Sequence, residues 1–128
     1  MARKRPLVLV VEDDPALGDV ILTALRDDGL DSKLASDGDE AMRLVDELEP
    51  SCMVLDLMMP RRDGFSVLRE LRSDGRLAKM PVVVVTAMFG LSERNYATEL
   101  GAADYVTKPF ELDDLVGRVR ALITPTPV

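Results

Sequence analysis

The sequence of 128 residues contains no histidine, a single cysteine and no long apolar run. Without histidine, the chain cannot form a Ser/His/Asp or Cys/His catalytic site or an imidazole-based zinc site. Cys52 cannot form a disulfide within the chain, which fits a reducing compartment. No stretch approaches the ~20 apolar residues that span a bilayer, and the basic start lacks the apolar core of a secretory signal. We therefore expect a cytoplasmic protein that does not enter a membrane.

Acidic residues dominate the charge, with 23 acids against 16 bases and a formal net charge of −7. Most of the excess lies in residues 12–56, where fourteen acids accompany three bases. This half is a poor surface for a polyanion, so we expect no direct nucleic-acid binding by this chain. With 47% hydrophobic residues, the composition is that of one folded globular domain. Any chemistry must use carboxylates, hydroxyls and amines.

Three apolar runs and two weaker ones alternate with segments of helical periodicity. The clear runs are Leu7–Val11, Cys52–Leu55 and Val82–Val85, whose lack of polar alternation is typical of strands buried on both faces of a parallel sheet. Weaker strands are predicted at Ser32–Ala35 and Tyr105–Val106. Strands alternating with helices predict right-handed βα units whose strand ends share one edge. The expected fold is a single α/β domain, a doubly wound (βα)5 unit with a parallel five-stranded sheet.

The helices are predicted from apolar residues spaced three and four apart. The first begins at Pro15 and ends at Gly29. Its inward face is expected to contain Leu17, Val20, Ile21, Ala24 and Leu25. The helix after the fourth strand has the thinnest apolar face and should be the least firmly packed, with Ser92 as its cap. Its expected inward residues are Tyr96, Ala97 and Leu100.

Three segments are expected along the chain. Residues 1–6 form a basic tail, residues 7–123 the domain, and residues 124–128 a linker or tail. The last segment alternates threonine with proline, which cannot continue a helix.

Polar side chains stand where the central strands end, and ligands of such sheets bind beyond the carboxyl ends of the strands. They are Glu12, Asp13, Asp14, Asp56, Thr86 and Lys108. Taken singly, each has a structural explanation, such as an acidic loop that caps a helix or a solvated surface amine. Their conjunction favours a site, because an ionised Asp56 after an apolar strand needs a compensating cation. Asp13 and Asp56 are suitable oxygen ligands for Mg2+, which keeps waters that phosphate oxygens can replace.

The residues in and around these strand ends resemble the receiver domain of two-component response regulators. The matching stretches are residues 9–15, 54–60, 63–64, 84–87 and 101–110, and the resemblance covers essentially residues 7–123. It implies a flavodoxin-like fold with strand order 2-1-3-4-5. It also implies a signalling domain rather than an enzyme, one that catalyses only its own phosphorylation and dephosphorylation.

The resemblance implies a role for each acid at the strand ends. Asp56 would be the phosphoacceptor, taking a phosphoryl group from a sensor histidine kinase or a phosphotransfer protein. Asp13, Glu12, Asp56 and the backbone carbonyl of Met58 would hold Mg2+. An aspartate, with an ordinary pKa of about 3.9, needs no general base, so the missing histidine is consistent with a donor histidine in the partner.

Three further residues take roles from the same resemblance. Lys108 would bind one phosphoryl oxygen and the Thr86 hydroxyl another. Tyr105 would swing inward with Thr86 to report the event. The Lys108–Pro109 peptide bond is expected to be cis, a form that is inexpensive only before proline.

Within the family, the pattern most resembles the winged-helix transcription factors, which dimerise through the fourth helix, fifth strand and fifth helix. Matching positions pair Arg94 with Asp114, and Asp104 with Arg118, across a two-fold axis. A homodimer through this face is therefore expected. The sequence leaves open whether the chain is a stand-alone receiver or a domain cut from a longer regulator.

Other classes fit less well. A haloacid-dehalogenase-type phosphatase needs a second acid where Met58 stands, and a flavodoxin phosphate loop would not carry Glu12 and Asp13. Glycine-rich nucleotide motifs are missing from the sequence. The serious alternative is a receiver-like interaction or dimerisation module that is not phosphorylated. Such modules usually lose the acid pair, the acceptor or the lysine, and this chain keeps all of them.

Overall fold

The computed structural model describes residues 5–123, so the predicted tail and linker lie largely or wholly outside the described residues. The strands are β1 (Leu7–Val11), β2 (Asp31–Ala35), β3 (Cys52–Leu55), β4 (Val82–Thr86) and β5 (Asp104–Thr107). The helices are α1 (Pro15–Asp27), α2 (Gly38–Leu48), α3 (Gly64–Ser73), α4 (Leu91–Glu99) and α5 (Leu112–Ile123), with a 3-10 turn at Arg76–Ala78. Within residues 5–123, no helix combines the length and apolar character needed to cross a membrane.

The five strands form one parallel sheet in the order β2-β1-β3-β4-β5, as predicted. The three central strands β1, β3 and β4 are buried along their whole length. This is why they are the strands that read as uninterrupted apolar runs. The edge strand β2 instead mixes exposed and covered residues, with Asp31 and Lys33 exposed and Ser32 and Ala35 buried.

Successive residues of each strand face opposite layers of helices. In β1, Leu9 and Val11 belong to the core shared with α2, α3 and α4. Val8 and Val10 belong to the core shared with α1 and α5. The sheet is therefore covered on both faces, and the open edge at the carboxyl ends of its strands is where side chains can form a site.

The prediction of which residues of α1 face the core is partly wrong. Val20 is exposed, while Gly18 and Leu22 are buried. The reason is the close approach of α1 to β2 at Gly18, where an added Cβ atom would lie 2.9 Å from Leu34 Cδ1. At 3.6 residues per turn, Val20 is about 200° around the helix from Gly18 and therefore points away from the sheet.

Helix α4 also departs from the prediction. It begins at Leu91 after Gly90 with no side-chain cap, so Ser92 is inside the helix rather than its cap. Tyr96 is 39% exposed and rests against Phe65 of α3, with ring centroids 5.1 Å apart. Within α4 only Ala97 is buried. Leu100, just after the helix, is buried as predicted. The expectation of a thinly packed helix is therefore confirmed, and Tyr96 is the one predicted inward residue that does not face the core.

We expect Cys52, the single cysteine, to be unreactive in the folded protein. Cys52 is fully buried in β3, and burial raises the pKa of its thiol from 9.0 to about 12. At about pH 8 the folded protein should therefore hold about a thousandfold fewer thiolates than an exposed cysteine would. We expect no reaction with a disulfide reagent within minutes in buffer and one equivalent in denaturant. Rapid labelling of the folded chain would contradict the burial.

Candidate functional site

The polar residues at the strand ends are held as continuations of the sheet. The Glu12 amide donates to the Ala35 carbonyl (3.0 Å), and the Asp56 amide donates to the Val11 carbonyl (3.1 Å). Glu12 and Asp56 are 3% and 4% exposed, and Thr86 is fully buried. Because the backbone is fixed on both sides, these side chains project into the edge with little freedom to move apart.

Three acids meet at this edge. Glu12, Asp13 and Asp56 each offer a carboxylate oxygen, and these oxygens lie within 4.8 Å of one another. Two of the three are buried and Asp13 is exposed, so the cluster opens to solvent on one side. A hard, oxygen-only donor set with room for water fits Mg2+.

Asp14 does not join this cluster, contrary to the expectation that all the strand-end acids converge. Its side chain accepts hydrogen bonds from the amides of Ala16 and Leu17 and so caps α1. Aspartate is among the best residues at this position, because it satisfies amides that the first helical turn leaves unpaired. The structural explanation therefore applies to Asp14.

Lys108 bridges the two buried acids. Its Nζ donates to Glu12 Oε1 at 2.8 Å and to Asp56 Oδ2 at 2.9 Å. The Lys108–Pro109 bond is cis, as predicted. Burial alone lowers the pKa of the ammonium, but the bonds to Glu12 and Asp56 outweigh it, so the pKa of Lys108 is raised. Burial raises the pKa of Glu12, and the Lys108 contact offsets only part of that rise.

The second oxygen of Asp56 is held by the backbone of its own loop. Asp56 Oδ1 accepts a hydrogen bond from the Met58 amide at 2.9 Å. With Oδ2 on Lys108, both carboxylate oxygens have fixed donors. The Met58 side chain is 51% exposed.

The side chains of Thr86 and Tyr105 both form hydrogen bonds with the main chain of Met88. Thr86 Oγ1 accepts from the Met88 amide (3.3 Å), and the Tyr105 hydroxyl donates to the Met88 carbonyl (2.7 Å). The Tyr105 ring is already buried, with the Arg94 guanidinium carbon 5.7 Å from its centroid. Sequence reasoning missed this link because Met88 contributes only backbone groups, which its residue type does not reveal.

Three of the four charged residues of the predicted dimer face form ion pairs with one another within the chain. Arg118 Nη1 lies 2.8 Å from Asp104 Oδ1, and Arg118 Nε lies 3.1 Å from Asp114 Oδ2. The hydrogen bond to Asp104, with that to Asp114, raises the pKa of the Arg118 guanidinium. Arg94 lies over Tyr105 instead. Pairing of these residues between two chains stays a prediction.

The chain matches the response regulator receiver domain over residues 8–120, so it belongs to this family of two-component signalling domains, and the predicted resemblance is confirmed. Domains of this family bind Mg2+ at an acidic pocket and interact with histidine kinases or phosphotransfer proteins.

The chain is similar to several known proteins. It is 40% identical over 121 residues to the DNA-binding dual master transcriptional regulator RpaA of Synechocystis sp., covering 94% of this chain and 50% of RpaA. It is 43% identical over 119 residues to the response regulator MprA of Mycobacterium leprae, covering 93% and 51%. The chain thus spans about half the length of these curated relatives. The receiver domain of Francisella response regulator 1452 superposes with a TM-score of 0.87 at 35% identity, covering 93% of this chain and 97% of that one.

Proposed function

We propose that this chain is a phosphoacceptor receiver domain that works in the cytoplasm, with residues 7–123 as its functional unit. Asp56 accepts a phosphoryl group from a sensor histidine kinase or a phosphotransfer protein. The observation that carries the proposal is the buried pair of Glu12 and Asp56, bridged by Lys108 and opening to solvent at Asp13. This arrangement places a nucleophile beside a fixed cation at an accessible edge.

Each side chain has one task in the transfer. An Asp56 carboxylate oxygen attacks phosphorus, the phosphorus–nitrogen bond of the donor histidine breaks, and an acyl phosphate forms. Glu12, Asp13 and Asp56 would hold Mg2+, with the Met58 carbonyl as a further ligand, and bound Mg2+ neutralises charge on the transferring phosphoryl oxygens. Lys108, already 2.9 Å from Asp56 Oδ2, remains beside the new group and binds one of its oxygens.

The same edge connects to the surface through Met88. When the Thr86 hydroxyl turns to a phosphoryl oxygen, it gives up the hydrogen bond from the Met88 amide. Tyr105 holds the carbonyl of that same residue, so both contacts act on the segment that leads into α4. Helix α4 buries a single residue, which makes it the element that moves most readily. The face of α4, β5 and α5 is therefore the proposed output surface.

The test is Mg2+-dependent phosphorylation by a small-molecule donor. The protein is incubated with acetyl phosphate in Mg2+ or in a chelator, and intact mass is followed with time. We expect one phosphoryl group per chain with Mg2+ and none with the chelator. An unchanged mass in Mg2+, together with no structural response to beryllofluoride, would favour the alternative of a receiver-like interaction module that is not phosphorylated.

We further propose that the chain is the receiver part of a regulator of the winged-helix kind. RpaA, a DNA-binding transcriptional regulator, is about twice as long as the matched region. In this proposal DNA is read by another part of the regulator, and the receiver controls dimerisation or partner binding.

Dimerisation through the α4–β5–α5 face leads to a prediction about salt. Among the described residues, the exposed large hydrophobic side chains of this face lie on α4, at Leu91 and Tyr96, and none lies on β5 or α5. On β5 and α5, Arg118 already pairs with Asp104 and Asp114, so association there must exchange ion pairs within the chain for pairs between chains, and exposed pairs contribute little. We expect a beryllofluoride-dependent dimer that dissociates as salt rises through the physiological range. Sedimentation of wild type and Arg118→Ala at two salt concentrations checks this, and equal molar mass with and without beryllofluoride would contradict it.

A further inference from the structure

Gly64, the first residue of α3, lies directly against the backbone of the Asp56 strand end. A Cβ atom at Gly64 would be 2.5 Å from the Asp56 carbonyl oxygen and 2.7 Å from Leu57 Cα. Its amide donates to the Leu57 carbonyl at 3.0 Å. These two nearest neighbours are main-chain atoms, which cannot rotate aside as a side-chain tip can, and the third is Leu57 Cδ2 at 3.0 Å. Only a residue without a side chain fits here.

The backbone that Gly64 touches is the backbone that orients Asp56. Leu57 is fully buried and leads directly to Met58, whose amide donates to Asp56 Oδ1. A displacement of the Leu57 peptide therefore moves the donor that fixes one carboxylate oxygen. It also moves the Met58 carbonyl, the proposed further ligand for Mg2+.

Helix α3 cannot easily retreat to make room. Asp63 caps it by accepting from the Ser66 amide at 3.0 Å. Arg62, just before the cap, donates to the Ser66 hydroxyl (3.1 Å) and to Glu70 (2.6 Å), which ties the loop to the first two turns. With α3 held in this way, an added methyl group presses directly on the segment from Asp56 to Met58.

We infer that Gly64 is a positioning residue for phosphoryl transfer, because its lack of a side chain lets α3 hold the Asp56 carboxylate in its reactive place. The inference rests on the proposed function. A side chain would have to move the Asp56 carbonyl from 2.5 Å to at least 3.0 Å, a shift of about 0.5 Å. A misplacement of 1 Å can slow a reaction 100-fold, so Gly64→Ala should slow phosphorylation about 10- to 100-fold.

The chain offers a matched control. Gly18 is also a buried helical glycine, but an added Cβ there would meet only the side-chain tip of Leu34, at 2.9 Å. That tip can move without disturbing any strand end. Gly18→Ala should therefore keep the wild-type rate of phosphorylation.

The experiment measures the rate constant and the amplitude of phosphorylation at saturating acetyl phosphate and Mg2+. Gly64→Ala is prepared alone and with Gly117→Ala, which stabilises α5 where an added Cβ meets nothing within 4 Å. A smaller folded fraction lowers the observed rate constant only in proportion to that fraction, because small domains refold faster than acetyl phosphate labels them. The folded fraction of each variant is therefore measured by urea unfolding and the rate constant is divided by it, so that a displaced carboxylate is seen as a lower rate constant per folded chain. Val119→Ala, in the core on the opposite face of the sheet, shows what simple destabilisation does.

The expected result is a rate constant 10- to 100-fold lower for Gly64→Ala in both backgrounds, with Gly18→Ala and Val119→Ala near wild type. A wild-type rate constant in folded Gly64→Ala overturns the inference. A Gly64→Ala chain that is unfolded in both backgrounds assigns the glycine to folding and also overturns it. Wild type that is not phosphorylated and also shows no structural response to beryllofluoride refutes the proposed function instead, so the two failures are distinguishable.

Discussion

Asp56→Asn will gain no phosphoryl group from acetyl phosphate and Mg2+ under conditions that label the wild type fully. The amide keeps an oxygen that can still accept from the Met58 amide, so the loop conformation is retained. It lacks the anionic oxygen that attacks phosphorus, and its NH2 group would face the Lys108 ammonium. We expect a loss of more than about a thousandfold, since removing the nucleophile removes the covalent step itself. Intact-mass measurement over time checks this.

Asp63→Asn is the matched control, because it makes the same chemical change in the same loop. Asparagine is as good a helix cap as aspartate, so α3 should keep its start and the chain its phosphorylation. Both variants should unfold cooperatively in urea. Labelling of Asp56→Asn at the wild-type rate would place the phosphoacceptor elsewhere, with the exposed Asp13 as the next acid to test.

Much of the fold could be predicted because strands that are buried on both faces of a sheet consist of uninterrupted apolar residues. The central strands β1, β3 and β4 are uninterrupted apolar runs, and each is buried throughout. The short strand β5 was predicted from Tyr105 and Val106, the two buried residues among its four. The strand order came from family resemblance, since periodicity says nothing about which strands are neighbours.

Helix α4 could be predicted only roughly, because its sequence carries little information about orientation. A helix that buries only Ala97 does not need a regular apolar stripe. Tyr96 was expected to face the core, yet its ring packs on Phe65 and its hydroxyl accepts a hydrogen bond from Arg69. These contacts with α3 depend on the three-dimensional path of two helices. No spacing rule within one helix contains that information.

The site could be predicted as a set of strand ends but not in its details. Three consecutive acids follow β1, and the sequence does not show which of them point toward the carboxyl edge of the sheet. Glu12 and Asp13 join Asp56, whereas Asp14 caps α1. Gly64 lies in one of the stretches that resemble the family, but the reason for a glycine there could not be derived from the sequence, because its close neighbour is the main chain of Leu57, seven residues away. In the sequence, a glycine shows only that a side chain is missing and not which atoms lie close to it.

Lys108→Met will destabilise the metal-free protein by about 3 kcal/mol. Lys108 is the cation 2.8 Å from Glu12 and 2.9 Å from Asp56, both almost fully buried. Removing one partner of a buried ion pair leaves uncompensated charge, which typically costs 3–5 kcal/mol. Lys108 is 22% exposed, so the lower end of that range applies. Urea unfolding in a chelator measures the loss, and Lys33→Met, at an exposed lysine of β2, should stay within about 0.5 kcal/mol of wild type.

Mg2+ should reverse much of this loss, and by more than it stabilises the wild type. A cation at the carboxylates can replace the charge that methionine removes, and a ligand at 100 times its dissociation constant adds about 2.7 kcal/mol to stability. Adding Glu12→Gln to Lys108→Met should also recover stability without metal, because it removes one of the two unpaired charges. Equal Mg2+ stabilisation of Lys108→Met and wild type would mean that the metal binds away from these carboxylates. A metal-free Lys108→Met protein as stable as wild type would mean that Lys108 does not balance their charge.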